Sequence, residues 1–190
     1  MEEKAEFDFN RFAAEVAIWS EKNFGPKTNI AKGYKYPHQP LLGIIEEFGE
    51  LCIAVDNLNT YGIQAKKDNF IDAVGDTVIY ITDYCNQLNL NLDTIILNAH
   101  NYKCEEDLNT LIILGCLCHN HLKMEQCIRG TTEEHLFAIT EDLVNLFYLL
   151  KYICNEQFIS FDECVKVTWE KVQKRDWTKN KLMEKYYERR

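Results

Sequence analysis

Three glutamates interrupt an otherwise apolar run, PLLGIIEEFGEL, over Pro40–Leu51. Glu46 and Glu50 are four positions apart and Glu47 and Glu50 three, and on a helix both spacings place side chains on one face. A second acidic pair, Asp72 and Asp76, stands four apart in DAVGDTVIYITDYC. Like charges at these spacings repel. Two antiparallel helices, each carrying such a pair beside an apolar seam, can aim several carboxylates at one point. Hard divalent cations, Mg²⁺ or Mn²⁺, ask for that kind of oxygen cluster. Without a cation, the cluster raises its own pKa values. The ordinary alternative is two solvated acidic helix faces. Against it stand the large apolar residues on both sides of the acids. Gly49 and Gly75 also lie in helix interiors, where glycine costs ~1 kcal/mol relative to alanine. A glycine beside an acid on each helix suggests close helix approach or room for a ligand.

The elements that must hold these groups read as all-α. Glycine and proline are sparse, at 8 and 3 residues, and apolar spacings of three and four persist over long stretches. A first helix spans about Phe7 to Phe24, stopped by Gly25 and Pro26. Residues 31–40 read as a loop, with Pro40 suited to a helix start. Leu41, Ile44/Ile45, Phe48, Leu51/Cys52 and Val55 form one face of the acidic helix. Residues 59–69 read as a connecting loop. The next helix runs from about Phe70 to Leu88, with Ile71, Val74, Val78, Ile81, Cys85 and Leu88 as a bundle seam. Asn91 or Asp93 caps the helix after it.

The second half repeats the plan. Residues 108–127 read as helix and 128–135 as loop, and 136–154 as a helix with Ile139, Leu143, Leu146, Leu150 and Ile153 on one stripe. Cys85 and Cys154, Asn86 and Asn155, and Asp93 and Asp162 each differ by 69 positions. Gly49 and Gly115, Leu51 and Leu117, and Cys52 and Cys118 differ by 66. Two tandem helical repeats, residues 1–105 and 106–190, are therefore expected.

A net charge of -9 argues against a broad surface for a nucleic-acid polymer. It leaves phosphate-bearing small molecules open, because a divalent metal can bridge acid to acid. No apolar run approaches the ~18 residues of a membrane span. The N-terminal MEEKAEFDFN lacks a signal peptide's basic start and apolar core, so a cytoplasmic protein is expected. The 8 cysteines then read as reduced thiols, with Cys52, Cys85, Cys154 and Cys164 packed inside. Cys116, Cys118, His119 and His121 in CLCHNH invite a zinc reading, but on one helix they cannot all face a single point.

EEFGEL followed by DAVGDTVIYITDYC resembles the MazG-like all-α nucleoside triphosphate pyrophosphohydrolases, a superfamily that includes dimeric dUTPases and dCTP pyrophosphatases. The likeness covers about Phe9 to Lys103, with VAIWSEKNFG and HQPLLGIIEE as lead-in. The family pattern is E-x-x-E, a spacer, then E-x-x-D. Glu47 and Glu50 match the first pair and Asp76 the final aspartate. The remaining glutamate is Ala73 here, with Asp72 as its neighbouring substitute. The resemblance implies Mg²⁺-dependent cleavage between the α- and β-phosphates of a nucleoside triphosphate, releasing a monophosphate and pyrophosphate. It implies metal held by Glu47, Glu50, Asp76 and Asp72. Catalytic work would fall to Glu47 and to Glu46, which could orient the attacking water or accept its proton. Lys103, with Asn98 or Asn101, and Lys171, Lys174 and Arg175 are candidates for the phosphate tail, and Trp19, Phe24, Tyr34 and Tyr36 for the base.

CHNHLKMEQCIRGTTEEH and VTWEKVQKRDW resemble segments of the same family, yet the metal positions are lost. Glu46, Glu47 and Glu50 correspond to Ile112, Ile113 and Cys116, and Asp76 to Asn145, while Asp72 corresponds to Glu141. The resemblance implies that such units pair as dimers, so the two repeats of this chain would pack as a pseudo-dimer. A fused chain can supply both units itself, and a homo-oligomer is the other route. The alternative reading is a catalytically weakened module that binds a nucleotide or a protein partner.

Overall fold

A computed structural model describes residues 7–25, 38–101, 109–126 and 130–179. Among these residues all regular structure is helical, with no strand. Helix α1 (Phe9–Phe24) starts where the Asp8 carboxylate accepts the Arg11 backbone N–H, and stops at Gly25, whose φ of 83° suits glycine. Helices α2 (His38–Tyr61) and α3 (Ile63–Leu88) carry the two acidic motifs. They meet at Gly62 alone, which turns the chain in one residue with φ 83°. The loop expected over residues 59–69 is therefore corrected. Asn59, Thr60, Lys67, Asp68 and Asn69 are exposed at the ends of two helices, while Leu58 and Phe70 bury the corner.

Helix α4 (Leu92–Asn101) is capped by Asn91, whose side-chain oxygen accepts the Thr94 N–H, leaving Asp93 in the first turn. Helix α5 (Thr110–Gln126) precedes α6 (Thr132–Glu156). At the start of α6, Thr131 and Glu134 cap one another reciprocally, so the helix takes in part of the loop expected at 128–135. Helix α7 (Phe161–Val172) starts at Ser160, and a 3-10 turn follows at Trp177–Lys179.

Helix α2 packs along α3 and α5 along α6, while the short helices cross over: α7 lies on α3 and α4 on α6. The expected halves thus interlock around one continuous hydrophobic core. Corresponding positions share local geometry. Asn89 and Phe158, 69 positions apart, are the two non-glycine residues with positive φ among those described, at 58° and 55°. After each, the same bond closes the helix end, Leu90 N–H to Cys85 O at 2.9 Å and Ile159 N–H to Cys154 O at 3.0 Å. Leu51 and Leu117 are both buried, and Gly49 and Gly115 both face open space.

In the paired positions on α2 the first of each is buried, Ile44 and Leu51, while Ile45 and Cys52 are exposed. Burial of Cys52 is thereby corrected: the stripe is one residue wide there, and Cys52 falls beyond its edge. Cys85, Cys154 and Cys164 are buried as free thiols. Leu42 and Ile53 on α2 and Leu111 and Ile112 on α5 leave apolar surface on the outward faces of those helices. No helix among the described residues is long and apolar enough to cross a membrane.

Candidate functional site

The pairing of α2 with α3 brings Glu47 to Asp76. Both are half-buried, and Glu46 and Glu50 stand exposed beside them on α2. Burial pushes the Glu47 carboxyl up to about 8, with the negative charges of Asp76, Glu50 and Glu46 adding to it and the Arg175 guanidinium opposing. Asp76 rises to about 6, again through burial. Arg175 and Lys171 pull it down, and Asp72 and Glu50 push it up. Glu47, Glu50, Asp72 and Asp76 therefore share one electrostatic neighbourhood, with two of the expected phosphate-binding cations, Lys171 and Arg175, at its edge.

Helix α7 brings those cations. It crosses α3 closely at Gly75, where an added Cβ would fall 2.3 Å from the Thr168 side chain and 2.9 Å from the Cys164 carbonyl oxygen. Thr168 donates its hydroxyl to the Ile71 carbonyl at 3.1 Å, locking the crossing. One turn on, the Lys171 ammonium reaches Asp72 at 2.7 Å. Of the two meanings open to the paired glycines, Gly75 takes helix approach. Gly49 takes space, since nothing lies within 4 Å of a Cβ added there.

The four expected metal ligands are not equivalent. Asp72 is already paired with Lys171, and Ala73 is buried at 3% exposure, with its carbonyl accepting the Thr77 hydroxyl. Among the described residues no three His, Cys, Asp or Glu side chains are drawn together closely enough to hold a metal ion as they stand. The donor chemistry nevertheless fits a hard cation at Glu47, Glu50 and Asp76: oxygen donors only, and mutual repulsion that a cation would relieve.

The other expected groups are scattered. Asn98 is exposed on α4, whose packing partners are α6 and α1. Lys103, Tyr34 and Tyr36 lie outside the described residues. Trp19 packs edge-on against Phe24 and Trp169. In CLCHNH the helix spreads the groups apart: Cys116 and His119 are exposed, and His121 turns inward, with its Nδ1 2.9 Å from the Tyr84 hydroxyl.

One neighbour of the site was missed from sequence. The Tyr80 ring covers Gly43 so closely that a Cβ there would fall 2.4 Å from it. Burial lifts the Tyr80 hydroxyl to about 12, with Glu47, Glu46 and Asp76 contributing. The signal was a spacing: Tyr80 follows Asp76 by four residues, and Gly43 precedes Glu47 by four.

No family model matches the chain, and neither does any curated protein or solved structure.

Proposed function

We propose that the chain is a Mg²⁺-dependent nucleoside triphosphate pyrophosphohydrolase of the MazG-like kind, cleaving (d)NTP to (d)NMP and pyrophosphate. The observation that carries this reading is that Glu47 on α2 and Asp76 on α3 are each pushed up by burial and by neighbouring acids that include Glu50, with the charges of Arg175 and Lys171 opposing. Glu47, Glu50 and Asp76 would hold Mg²⁺, or Mn²⁺, and Asp72 would join on release from Lys171. When bound, the metal supplies charge neutralisation and orientation for the triphosphate. Exposed Glu46 orients water or accepts its proton. The Arg175 fork suits phosphate oxygens, and Lys171 adds a point charge. The shared helix-end geometry at Asn89 and Phe158 supports a fused pair in which only the first unit keeps the acids. A homo-oligomer, the other way to pair such units, finds apolar surface on the outward faces of α2 and α5.

A second reading, a weakened module that binds a nucleotide or a protein partner, is favoured by one specific pair of observations. Ala73 is buried where the family carries a ligand, and Asp72 is engaged by Lys171. A panel of NTPs and dNTPs with Mg²⁺, assayed for pyrophosphate, separates the two. The enzyme reading expects turnover that falls ~100-fold or more in Glu50→Gln. The module reading expects nucleotide binding without pyrophosphate. If no nucleotide is turned over, and Glu50→Gln changes neither binding nor melting with and without Mg²⁺, the metal-site reading fails.

A further inference from the structure

We infer that residues 173–179, following α7, form a strap by which the second half of the chain completes the first half's site, and that Trp19 and Asn23 position its Arg175. The inference rests on the pyrophosphohydrolase reading for its substrate class, a polyphosphate. Its geometry is independent of that reading.

After α7 the chain tightens into turns, with the Arg175 N–H on the Val172 carbonyl at 2.9 Å, and is tied back to α1 at successive points. The Trp19 indole Nε1–H donates to the Arg175 carbonyl at 3.2 Å. The Trp177 backbone N–H donates to the Asn23 side-chain oxygen at 2.7 Å. Asn23 is itself buried, and its Nδ2 donates to the Trp19 carbonyl at 2.9 Å, so both ends of that amide are used. Trp19 is held in turn by the edge-on Trp169 ring, with centroids 6.1 Å apart. Lys22 and Asp176 add a solvent-facing pair at 3.8 Å, which contributes little.

These ties hold the backbone at Arg175 and just after it, four residues beyond Lys171, whose ammonium reaches Asp72. The two cations, Lys171 at the end of α7 and Arg175 in the strap, have different duties. Lys171 is committed to Asp72 at 2.7 Å. Arg175 forms no ion pair among the described residues, and its guanidinium fork suits an incoming phosphate. The hydrogen bonds of Trp19 and Asn23 run to the strap backbone and to each other, so they act on Arg175 through the strap.

The test is a double-variant cycle on the full chain, read by calorimetric binding of inorganic tripolyphosphate in Mg²⁺. KM and kcat are measured for any nucleotide that is turned over. Arg175→Ala should weaken tripolyphosphate binding about tenfold, the scale of a lost charge-assisted contact. Trp19→Phe keeps a ring and removes the indole N–H. It should weaken binding about fivefold and act mainly on KM. In the Arg175→Ala background, Trp19→Phe should add nothing, because its effect passes through Arg175. Additive losses, an unaffected Trp19→Phe, or a wild-type chain that does not bind tripolyphosphate would each overturn the inference. Should Trp19→Phe lose its cooperative melt, Asn23→Ala takes its place in the same cycle. A non-additive cycle without nucleotide turnover sinks the enzyme reading and keeps the strap. Turnover that is indifferent to Arg175→Ala does the reverse.

Discussion

Glu47 holds its proton because it sits half-buried among three other acids, and the consequence is a stability that depends on pH in an unusual direction. The folded-state values of Glu47 and Asp76, about 8 and about 6, lie above the usual carboxylate range. Both groups bind protons more tightly folded than unfolded. Their stabilising contribution is complete below about pH 4 and is lost as pH rises, through about 6 for Asp76 and about 8 for Glu47. In a chelator, the melting temperature should fall from pH 5 to pH 9. Glu47→Gln should flatten the upper part of that fall, by on the order of 1 kcal/mol once solvent screening is allowed for. Mg²⁺ should flatten it too. A slope that Glu47→Gln leaves unchanged would refute the assignment. The acids themselves were legible from spacing alone, because helical periodicity fixes which side chains share a face. The commitment of Asp72 to Lys171 was not, since the partners are 99 positions apart and no local pattern encodes that contact.

Helix crossings explain why two glycines in similar settings should respond oppositely to the same change. Gly75→Ala drives a methyl into Thr168 and the Cys164 carbonyl, so α7 must shift. A loss of about 1–3 kcal/mol is expected, together with reduced phosphate binding as Lys171 and Arg175 move. Gly49→Ala meets open space in a helix interior and should stabilise the protein by about 0.5–1 kcal/mol. Chemical denaturation of the two variants checks the sign of each. A stabilised Gly75→Ala would show that the crossing is not close. At this scale the apolar stripes were read well: Ile71, Val74, Val78, Ile81 and Cys85 are all buried, as are Ile139, Leu143, Leu146 and Leu150. The element ends were read less well. The polar stretch at residues 59–69 resembles a loop in composition, yet one residue, Gly62, does all the turning. Tyr80 escaped notice because a helix position facing a partner's glycine looks like any other half-apolar position until the partner is placed.

For the whole molecule, the decisive feature is reciprocal cover, with α7 on α3 and α4 on α6. Each half lends a short helix to the other's long one, so neither half closes its own core. Fragments 1–105 and 106–190 are expected to be unfolded or aggregated when separate and to regain helical circular dichroism when mixed. The intact chain should melt in a single transition. Independent melting of a 1–105 fragment would argue for two autonomous units. The periodic matches between the halves hinted at two such units, but not at the exchange of helices, which depends on long-range packing. The strap has one more property. The chain has 3 tryptophans, and all of them, Trp19, Trp169 and Trp177, belong to the junction of α1 with α7 and its strap. The tryptophan emission of this protein, excited selectively, therefore comes from one spot, and a ligand or variant that loosens the strap should shift its wavelength without a dye.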